Sequence, residues 1–138
     1  MDEIMRFFPK MGSAWTEKVV LPGGDVPRAD IEGFTHELAR NKPFLTPGVA
    51  RRLAHNYGTR VGRFLDKANK TADLGRDFGM GLTEAEIDYL VASEWAMTAQ
   101  DILWRRSKLG LHLPKSAASD IDGYLETRRK HAKSAVQS

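Results

Sequence analysis

Apolar residues recur three and four positions apart along most of the chain, which is the spacing of an amphipathic helix. The segments with this pattern are residues 28–40, 46–57, 59–68, 83–95, 98–109 and 117–133. Strand-like alternation is short, and its clearest example is the stretch from Lys18 to Leu21. The pattern predicts an all-α fold, a compact bundle of about six or seven short helices.

Several predicted helices carry start and stop signals. Thr46 precedes Pro47, so a side-chain N-cap is followed by the residue favoured at the first helical position. Gly58 is placed to end that helix. The run Leu21-Pro22-Gly23-Gly24-Asp25 predicts a turn, because proline presets φ and glycine permits a positive φ. No Gly-Lys-Ser/Thr follows it, so a phosphate loop is a poor interpretation.

The second half of the chain contains two predicted capping boxes. Thr83 is followed three residues later by Glu86, and Thr98 by Asp101. Gly110 is expected to end the helix that begins near Thr98.

The predicted core lies between these two helices. Leu90 and Trp95 fall on the apolar stripe of the first helix, and Leu103 and Trp104 belong to the second. We therefore expect the helices to pack around both tryptophans and both leucines.

Composition narrows the class of protein. The chain has 138 residues, 41% hydrophobic and 28% charged, which is typical of one globular domain. It contains no cysteine, so disulfide, thiolate-metal and cysteine-nucleophile chemistry are excluded. No apolar run approaches the roughly 20 residues of a membrane-spanning helix. We expect a cytoplasmic protein.

Charge is unevenly distributed around a net value of +3. Residues 40–70 contain eight Lys/Arg and the single acid Asp66, whereas residues 73–101 contain seven Asp/Glu and the single base Arg76. The favoured interpretation is that these basic and acidic blocks neutralise each other within the fold. A basic face for nucleic acid is the weaker alternative, because the acidic block would repel phosphate.

The sequence offers few residues for catalysis. The four histidines have no metal-ligand spacing, no serine lies in a Gly-x-Ser-x-Gly elbow, and no nucleotide-binding glycine fingerprint is present. We assign no catalytic, cofactor-binding or metal-binding residue.

Four charged residues around the connection at 94–101 form the candidate site. Asp101 and Arg105 are four residues apart and can pair on one helical face. Arg106 lies on the stripe of apolar residues, so it should be partly buried, and Glu94 across the turn is the nearest acid. We predict that Glu94, Asp101, Arg105 and Arg106 join the two helices and direct some polar groups at other domains.

The same two helices also have the outline of a helix-turn-helix. A recognition helix reads bases mainly with its N-terminal half, and here that half is Thr98-Ala99-Gln100-Asp101-Ile102. That half has one polar residue that could read a base and one acid, so nucleic acid is not the expected partner. A small helix-turn-helix-like nucleic-acid-binding module remains the alternative function.

The string SEWAMTAQDILWRRSKLGL, from Ser93 to Leu111, resembles the C-terminal signature of the aerobic, FAD-dependent glycerol-3-phosphate dehydrogenases. Shorter matches precede it in the right order: Trp15-Thr16, the turn at residues 21–25, His55-Asn56-Tyr57-Gly58 and Ala72-Asp73-Leu74-Gly75. Ser107 stands where this family usually has threonine, and His55 where it usually has arginine.

The resemblance implies that the chain is an excised C-terminal domain of a larger oxidoreductase. That enzyme oxidises sn-glycerol 3-phosphate to dihydroxyacetone phosphate by hydride transfer to FAD and passes electrons to membrane quinone. The FAD-binding and substrate domains would precede this region, so no flavin is expected in the fragment and the fragment alone should be inactive.

The resemblance also implies a domain division and a set of partners. Residues 1–14 would be the end of a helix of the FAD domain and a linker, and residues 15–138 the helical domain. The partners would be the missing FAD-binding and substrate domains, with a homo-oligomer left open, and quinone and the membrane surface through the full-length enzyme. That enzyme would be peripheral at the inner face of the cytoplasmic membrane.

Overall fold

The computed structural model describes residue 7, residue 12 and residues 16–136. Its described part contains five α-helices: α1 (Ile31–Asn41), α2 (Pro47–Tyr57), α3 (Gly62–Leu65), α4 (Glu84–Glu94) and α5 (Ser116–Val136). A π-helix spans Asp101–Arg106, and short 3-10 turns connect several of these elements. No strand occurs in the described residues, where Asp77 and Thr83 form an isolated bridge. The predicted all-α class is confirmed. The helix end and linker expected over residues 1–14 fall almost wholly outside the described residues.

The local signals in the first half place the helix ends correctly. The Thr46 hydroxyl accepts a hydrogen bond from the Val49 N–H at 3.3 Å, and Pro47 occupies the first position of α2. Gly58 follows α2 with φ 52°. The predicted turn is also present, since the Gly24 N–H donates to the Leu21 carbonyl at 2.8 Å and Gly23 has φ 89°.

One of the two predicted capping boxes is confirmed and the other is wrong. The Asp101 N–H donates to the Thr98 hydroxyl at 3.2 Å, and the Thr98 N–H donates to the Asp101 carboxylate at 3.1 Å. The Thr83 side chain makes no capping hydrogen bond, and Glu86 points into the core. Glu86 binds an arginine there, and this buried contact is favoured over a capping hydrogen bond to the backbone at the start of α4.

The helix predicted over residues 98–109 is shorter than expected and partly of another type. The Ser107 N–H donates to the Ile102 carbonyl at 2.9 Å, five residues back, which widens the helix into a π-turn. The helix ends at Arg106, and Lys108 adopts a left-handed conformation with φ 60°. Gly110 therefore does not end this helix. It lies in the next 3-10 turn, where a Cβ would come within 2.6 Å of the Trp104 ring.

The core is mainly aliphatic, with Tyr57, Phe78 and Tyr89 also buried in it, and each main helix contributes to it. Its largest fully buried apolar side chains are Leu53, Leu65, Leu82, Ile87, Leu90, Ile102 and Ile121. Leu90 and Leu103 are buried as predicted. The prediction for the tryptophans is wrong, because Trp95 is 84% exposed and Trp104 is 47% exposed. Helix α4 ends at Glu94 and Trp95 turns left-handed, with φ 56° and ψ 30°, so the helical stripe does not extend to it.

Helix α5 closes the bundle through Asp88 and Asp122. The Tyr124 hydroxyl and the Arg128 Nε both donate to the Asp88 carboxylate, at 3.0 and 2.6 Å. Asp122 accepts the Ala99 N–H at 2.8 Å, which connects α5 to the start of the segment containing the π-helix. These contacts hold α5 against α4 and fix the connection between α4 and the π-helix.

Candidate functional site

The most deeply buried charges join α2 to α4. Arg52 donates to both carboxylate oxygens of Glu86, at 2.6 and 2.8 Å, and to the Gly81 carbonyl at 2.9 Å. The Tyr57 hydroxyl donates to the same carboxylate at 2.7 Å. Glu86 is only 1% exposed. A carboxylate removed from water in this way needs the three charge-assisted hydrogen bonds that it receives.

The electrostatics of this cluster fix its protonation state. Burial alone would lower the pKa of Arg52, but the hydrogen bonds and charge of Glu86 outweigh it and the pKa is raised. Burial, reinforced by the charge of Glu86, raises the pKa of Tyr57 far above its ordinary value. Arg52 therefore stays protonated and Tyr57 stays neutral. With its charge already compensated, the cluster is suited to holding α2 and α4 together rather than to proton transfer.

The sequence analysis missed this cluster, although a signal for it exists. Glu86 precedes Tyr89 and Leu90 by three and four residues, so it shares their face of α4. Arg52 follows Val49 by three residues and directly precedes the buried Leu53. Arg52 and Val49 line the same surface cavity. A buried charged residue needs a partner of opposite sign. The basic block provides Arg52 and the acidic block provides Glu86, so each has a candidate partner in the other block.

The four residues predicted as the candidate site form two pairs. Arg105 donates to the Asp101 carboxylate at 3.0 Å within one helical face. Arg106 donates through Nε and Nη2 to the backbone carbonyl of Glu94, at 3.1 and 2.8 Å. The Glu94 carboxylate lies 3.9 Å from Arg106 Nε. Arg106 thus bridges the turn mainly through the backbone, and a contact of these residues with other domains stays a prediction.

Asp101 is the best-satisfied acid of this group. The N–H of Met97, the hydroxyl and N–H of Thr98 and the charge of Arg105 together hold the pKa of Asp101 below its ordinary value. Its hydrogen bonds cap the segment that leads into the π-helix. The local structure accounts for the position of this carboxylate without a catalytic role.

The charge blocks neutralise each other only in part. Arg52–Glu86 joins the basic block to the acidic block. Other members pair outside the two blocks, as in Arg51–Glu32 and Asp88–Arg128. The favoured interpretation of the sequence therefore holds for the buried pair, and the exposed charges find their partners elsewhere.

Three glycines with positive φ in the second half of the chain are accounted for by the packing of the chain itself. Gly75, Gly79 and Gly81 all have positive φ, as glycines of a phosphate-binding loop can. A Cβ at these positions would instead overlap the side chains of Glu84, Leu113 and Val49. No strand precedes them in the described part of the chain, so the βαβ unit that holds a dinucleotide is not formed there.

The described residues contain neither a metal-ligand cluster nor a membrane-spanning helix. Across residues 7, 12 and 16–136, no group of three His, Asp or Glu side chains is arranged to hold a metal ion. The described helices include none that is long and apolar enough to span a membrane.

Known proteins resemble this chain over nearly its whole length. A family model described as the C-terminal domain of alpha-glycerophosphate oxidase matches residues 14–133. The glycerol-3-phosphate dehydrogenase of Pseudomonas aeruginosa is 45% identical over 131 residues, 95% of this chain and 25% of that protein. The aerobic glycerol-3-phosphate dehydrogenase of Escherichia coli is 38% identical, over 91% of this chain and 25% of that protein.

A third relative differs in the substrate that its name gives. The D-erythritol 1-phosphate dehydrogenase of Brucella abortus is 40% identical, over 84% of this chain and 23% of that protein. The chain thus spans about a quarter of the length of the curated relatives it matches. The resemblance seen in the string from Ser93 to Leu111 is confirmed, and the chain belongs to the family of C-terminal domains of alpha-glycerophosphate oxidase.

Proposed function

We propose that this chain is the C-terminal domain of an FAD-dependent dehydrogenase that oxidises sn-glycerol 3-phosphate to dihydroxyacetone phosphate. The family match over residues 14–133 is the observation that carries the proposal. Two relatives named as glycerol-3-phosphate dehydrogenases support this substrate. The Brucella relative supports the wider class of polyol phosphates.

Within such an enzyme the domain has a structural and docking role. The buried and half-buried charges of the Arg52–Glu86 and Arg106–Glu94 contacts have partners within the fold, and Gly75, Gly79 and Gly81 are packed against side chains of the chain itself. The FAD-binding and substrate domains would supply the flavin and the reacting groups. On its own, the chain binds no FAD and oxidises no glycerol 3-phosphate.

The remaining partners belong to the same proposal. Residues 1–14 would be the end of a helix of the FAD-binding domain and a linker, residues 15–138 would be the helical domain, and the FAD-binding domain would precede it. Electrons pass from the flavin to quinone at the inner face of the cytoplasmic membrane, where the full-length enzyme is peripheral. Association into a homo-oligomer remains open.

The nucleic-acid alternative has less support. Thr98 and Asp101, at the start of the helix that would read bases, are occupied in capping each other. Arg105 and Arg106 are also engaged within the domain, with Asp101 and with the Glu94 carbonyl. These groups would have to exchange their present partners for bases or phosphates.

A chimera tests the proposed function. Residues 14–133 of this chain replace the matching region of the Pseudomonas aeruginosa relative, and the purified chimera is assayed for bound FAD and for glycerol 3-phosphate oxidation with a soluble quinone analogue. We expect stoichiometric FAD and substrate-dependent turnover, because this chain is 45% identical to the Pseudomonas aeruginosa relative over the exchanged region.

Two controls make the outcome decisive. The same relative without its C-terminal region, and the relative carrying an unrelated helical domain of equal length, should both lose activity. A chimera that folds but retains neither FAD nor activity, beside an active parent, would count against the proposal. In the full-length protein, equal activity with D-erythritol 1-phosphate and glycerol 3-phosphate would shift the substrate to the wider class.

A further inference from the structure

Arg60 differs from the other half-buried arginines of the described residues. The guanidinium groups of Arg52, Arg106 and Arg128 each have an acceptor in the fold: the Glu86 carboxylate, the Glu94 carbonyl and the Asp88 carboxylate. Arg60 is half-buried as well, yet no described acceptor binds any of its guanidinium nitrogens. Its Nε is buried without a hydrogen-bond partner, as is the Nε of Arg52, whose other two nitrogens are bound by Glu86 and Gly81. Since buried polar groups are normally satisfied, Arg60 points to an acceptor from outside the domain.

Arg60 lines a surface cavity of about 370 Å³ that lies between residues 20–25 and residues 59–63. The exposed Arg63 lines the same cavity and forms no ion pair with any described acid. Burial and the nearby Glu94 carboxylate raise the pKa of Tyr89, and the charges of Arg60 and Arg63 oppose that rise. The Glu94 carboxylate makes no hydrogen bond or ion pair with Arg60 or Arg63. Asp25 is the acid in the cavity lining, and it accepts the Thr59 hydroxyl.

The opposite wall of the cavity is apolar and held in place. It is formed by the N-terminal segment, defined as residues 16–25, in which Leu21 is 77% exposed and Val20 is also exposed. The Thr59 N–H donates to the Gly23 carbonyl at 3.3 Å, and a Cβ on Gly23 would come within 2.7 Å of the Tyr57 carbonyl. The segment is therefore seated on the end of α2, and its large apolar side chains face outward.

The occupant of this surface follows from the position of the domain in its relatives, and this step rests on the proposed function. The family is described as a C-terminal domain, and the chain spans about a quarter of its relatives. The N-terminal segment is then the connection to the preceding domain. A surface formed by that connection is the part of this domain closest along the chain to the preceding domain.

We propose that the cavity between the N-terminal segment and α3 is the docking site for the preceding domain of the same polypeptide. Carboxylate side chains of that domain bind Arg60 and Arg63, and its apolar side chains cover Val20 and Leu21. A bidentate arginine–carboxylate pair beside an apolar contact fixes the orientation of the docked domain as well as its position.

A zero-length cross-link tests the docking directly. In the full-length protein, Arg63→Lys puts a primary amine at the cavity, and a water-soluble carbodiimide joins that amine to any carboxylate in contact with it. Arg40→Lys is the matched control, because Arg40 is exposed on α1 and contributes nothing to the cavity. Peptide mapping should find residue 63 joined to an acid of the preceding domain, with no such link from residue 40.

A second measurement does not depend on the cross-link. Arg60→Met and Arg63→Met should each make the N-terminal segment more sensitive to limited proteolysis in the full-length protein, by at least about tenfold, since each removes a charge-assisted contact. Arg40→Met should leave the cleavage rate unchanged. If Arg60→Met unfolds the domain, Arg63→Met still decides, because Arg63 is exposed.

The outcomes separate the docking site from the proposed function. An active dehydrogenase without a cross-link at residue 63 and with unchanged proteolysis would overturn the docking site and retain the function. A cross-link to the preceding domain in a protein without dehydrogenase activity would support the docking site and refute the function. A link between two copies of the protein would overturn the docking site in favour of a dimer interface.

Discussion

Replacing Arg52 by methionine should destabilise the domain far more than its exposure suggests. The side chain of Arg52 is 15% exposed, and its loss would leave the Glu86 carboxylate buried with only the Tyr57 hydroxyl. Removing one partner of a buried ion pair costs about 3–5 kcal/mol, because the other charge is stranded. At roughly 3–5 °C per kcal/mol for a domain of this size, the melting temperature should fall by about 9–25 °C.

The assay is a double-mutant cycle followed by urea denaturation and circular dichroism at pH 7. The second single variant is Glu86→Leu, and the double variant combines both changes. Because the double variant has no stranded charge, it should be less destabilised than the sum of the single variants by about 1–3 kcal/mol. Arg51→Met is the control, since its neighbouring ion pair with Glu32 is exposed and should contribute less than about 1 kcal/mol.

The result that would refute this reasoning is specific. If Arg52→Met costs no more than Arg51→Met, and the effects of Arg52→Met and Glu86→Leu are additive, the cluster does not hold α2 to α4 in the way the geometry indicates. Tyr57→Phe adds an independent check. It should cost about 1.5–3 kcal/mol, because it removes one hydrogen bond to a buried carboxylate.

Three further predictions use the same denaturation assay. Arg106→Met should cost about 1–3 kcal/mol and Glu94→Gln less than about 0.5 kcal/mol, because Arg106 binds the Glu94 carbonyl rather than its carboxylate; equal costs would contradict this. Asp101→Asn should lower stability above about pH 4 and lose its effect as the pH falls through the lowered folded-state pKa; a pH-independent cost would contradict it. Gly58→Ala should cost at least about 1–3 kcal/mol, because φ is 52° and a Cβ would overlap the Gly23 carbonyl, whereas Gly123→Ala in α5 should be neutral or stabilising.

The features predicted correctly depend on residues close together in the chain. The cap at Thr46, the stop at Gly58 and the Thr98–Asp101 box each act within about four residues, so the sequence contains both partners side by side. The apolar stripes of α1 and α5 are predicted for the same reason. Helical periodicity needs no knowledge of what the helix packs against.

The features missed depend on residues far apart. Glu86 can cap α4 locally or pair with Arg52, which is 34 residues away, and the choice is made by the packing of α2 on α4. The register change of the π-helix follows from contacts of Ser107 with the Ile102 carbonyl, through both its N–H and its hydroxyl. No periodicity argument distinguishes that geometry from an α-helix of the same composition.

The exposure of Trp95 shows how a single end signal changes the assignment of a face. The stripe through Ile87, Leu90 and Val91 reaches Trp95 only if α4 continues past Glu94. The chain instead turns left-handed at Trp95, which is unusual for a bulky residue, and Arg106 fixes the turn through the Glu94 carbonyl. The sequence predicted a side-chain pair between Arg106 and Glu94. In the structure Arg106 binds the Glu94 carbonyl instead, and the turn that this bond fixes leaves Trp95 outside the core.

The unmatched charges give a physical reason to place the preceding domain at α3. The domain neutralises its most buried arginine with Glu86, and two other half-buried arginines bind an acceptor on α4. Arg60 alone of this group lies beside the N-terminal segment, where the described residues provide no acceptor for it. Because Arg60 is half-buried and unsatisfied where the chain connects to another domain, the surfaces of the two domains should be complementary in charge. Carboxylates of the preceding domain would then bind the Arg60 guanidinium.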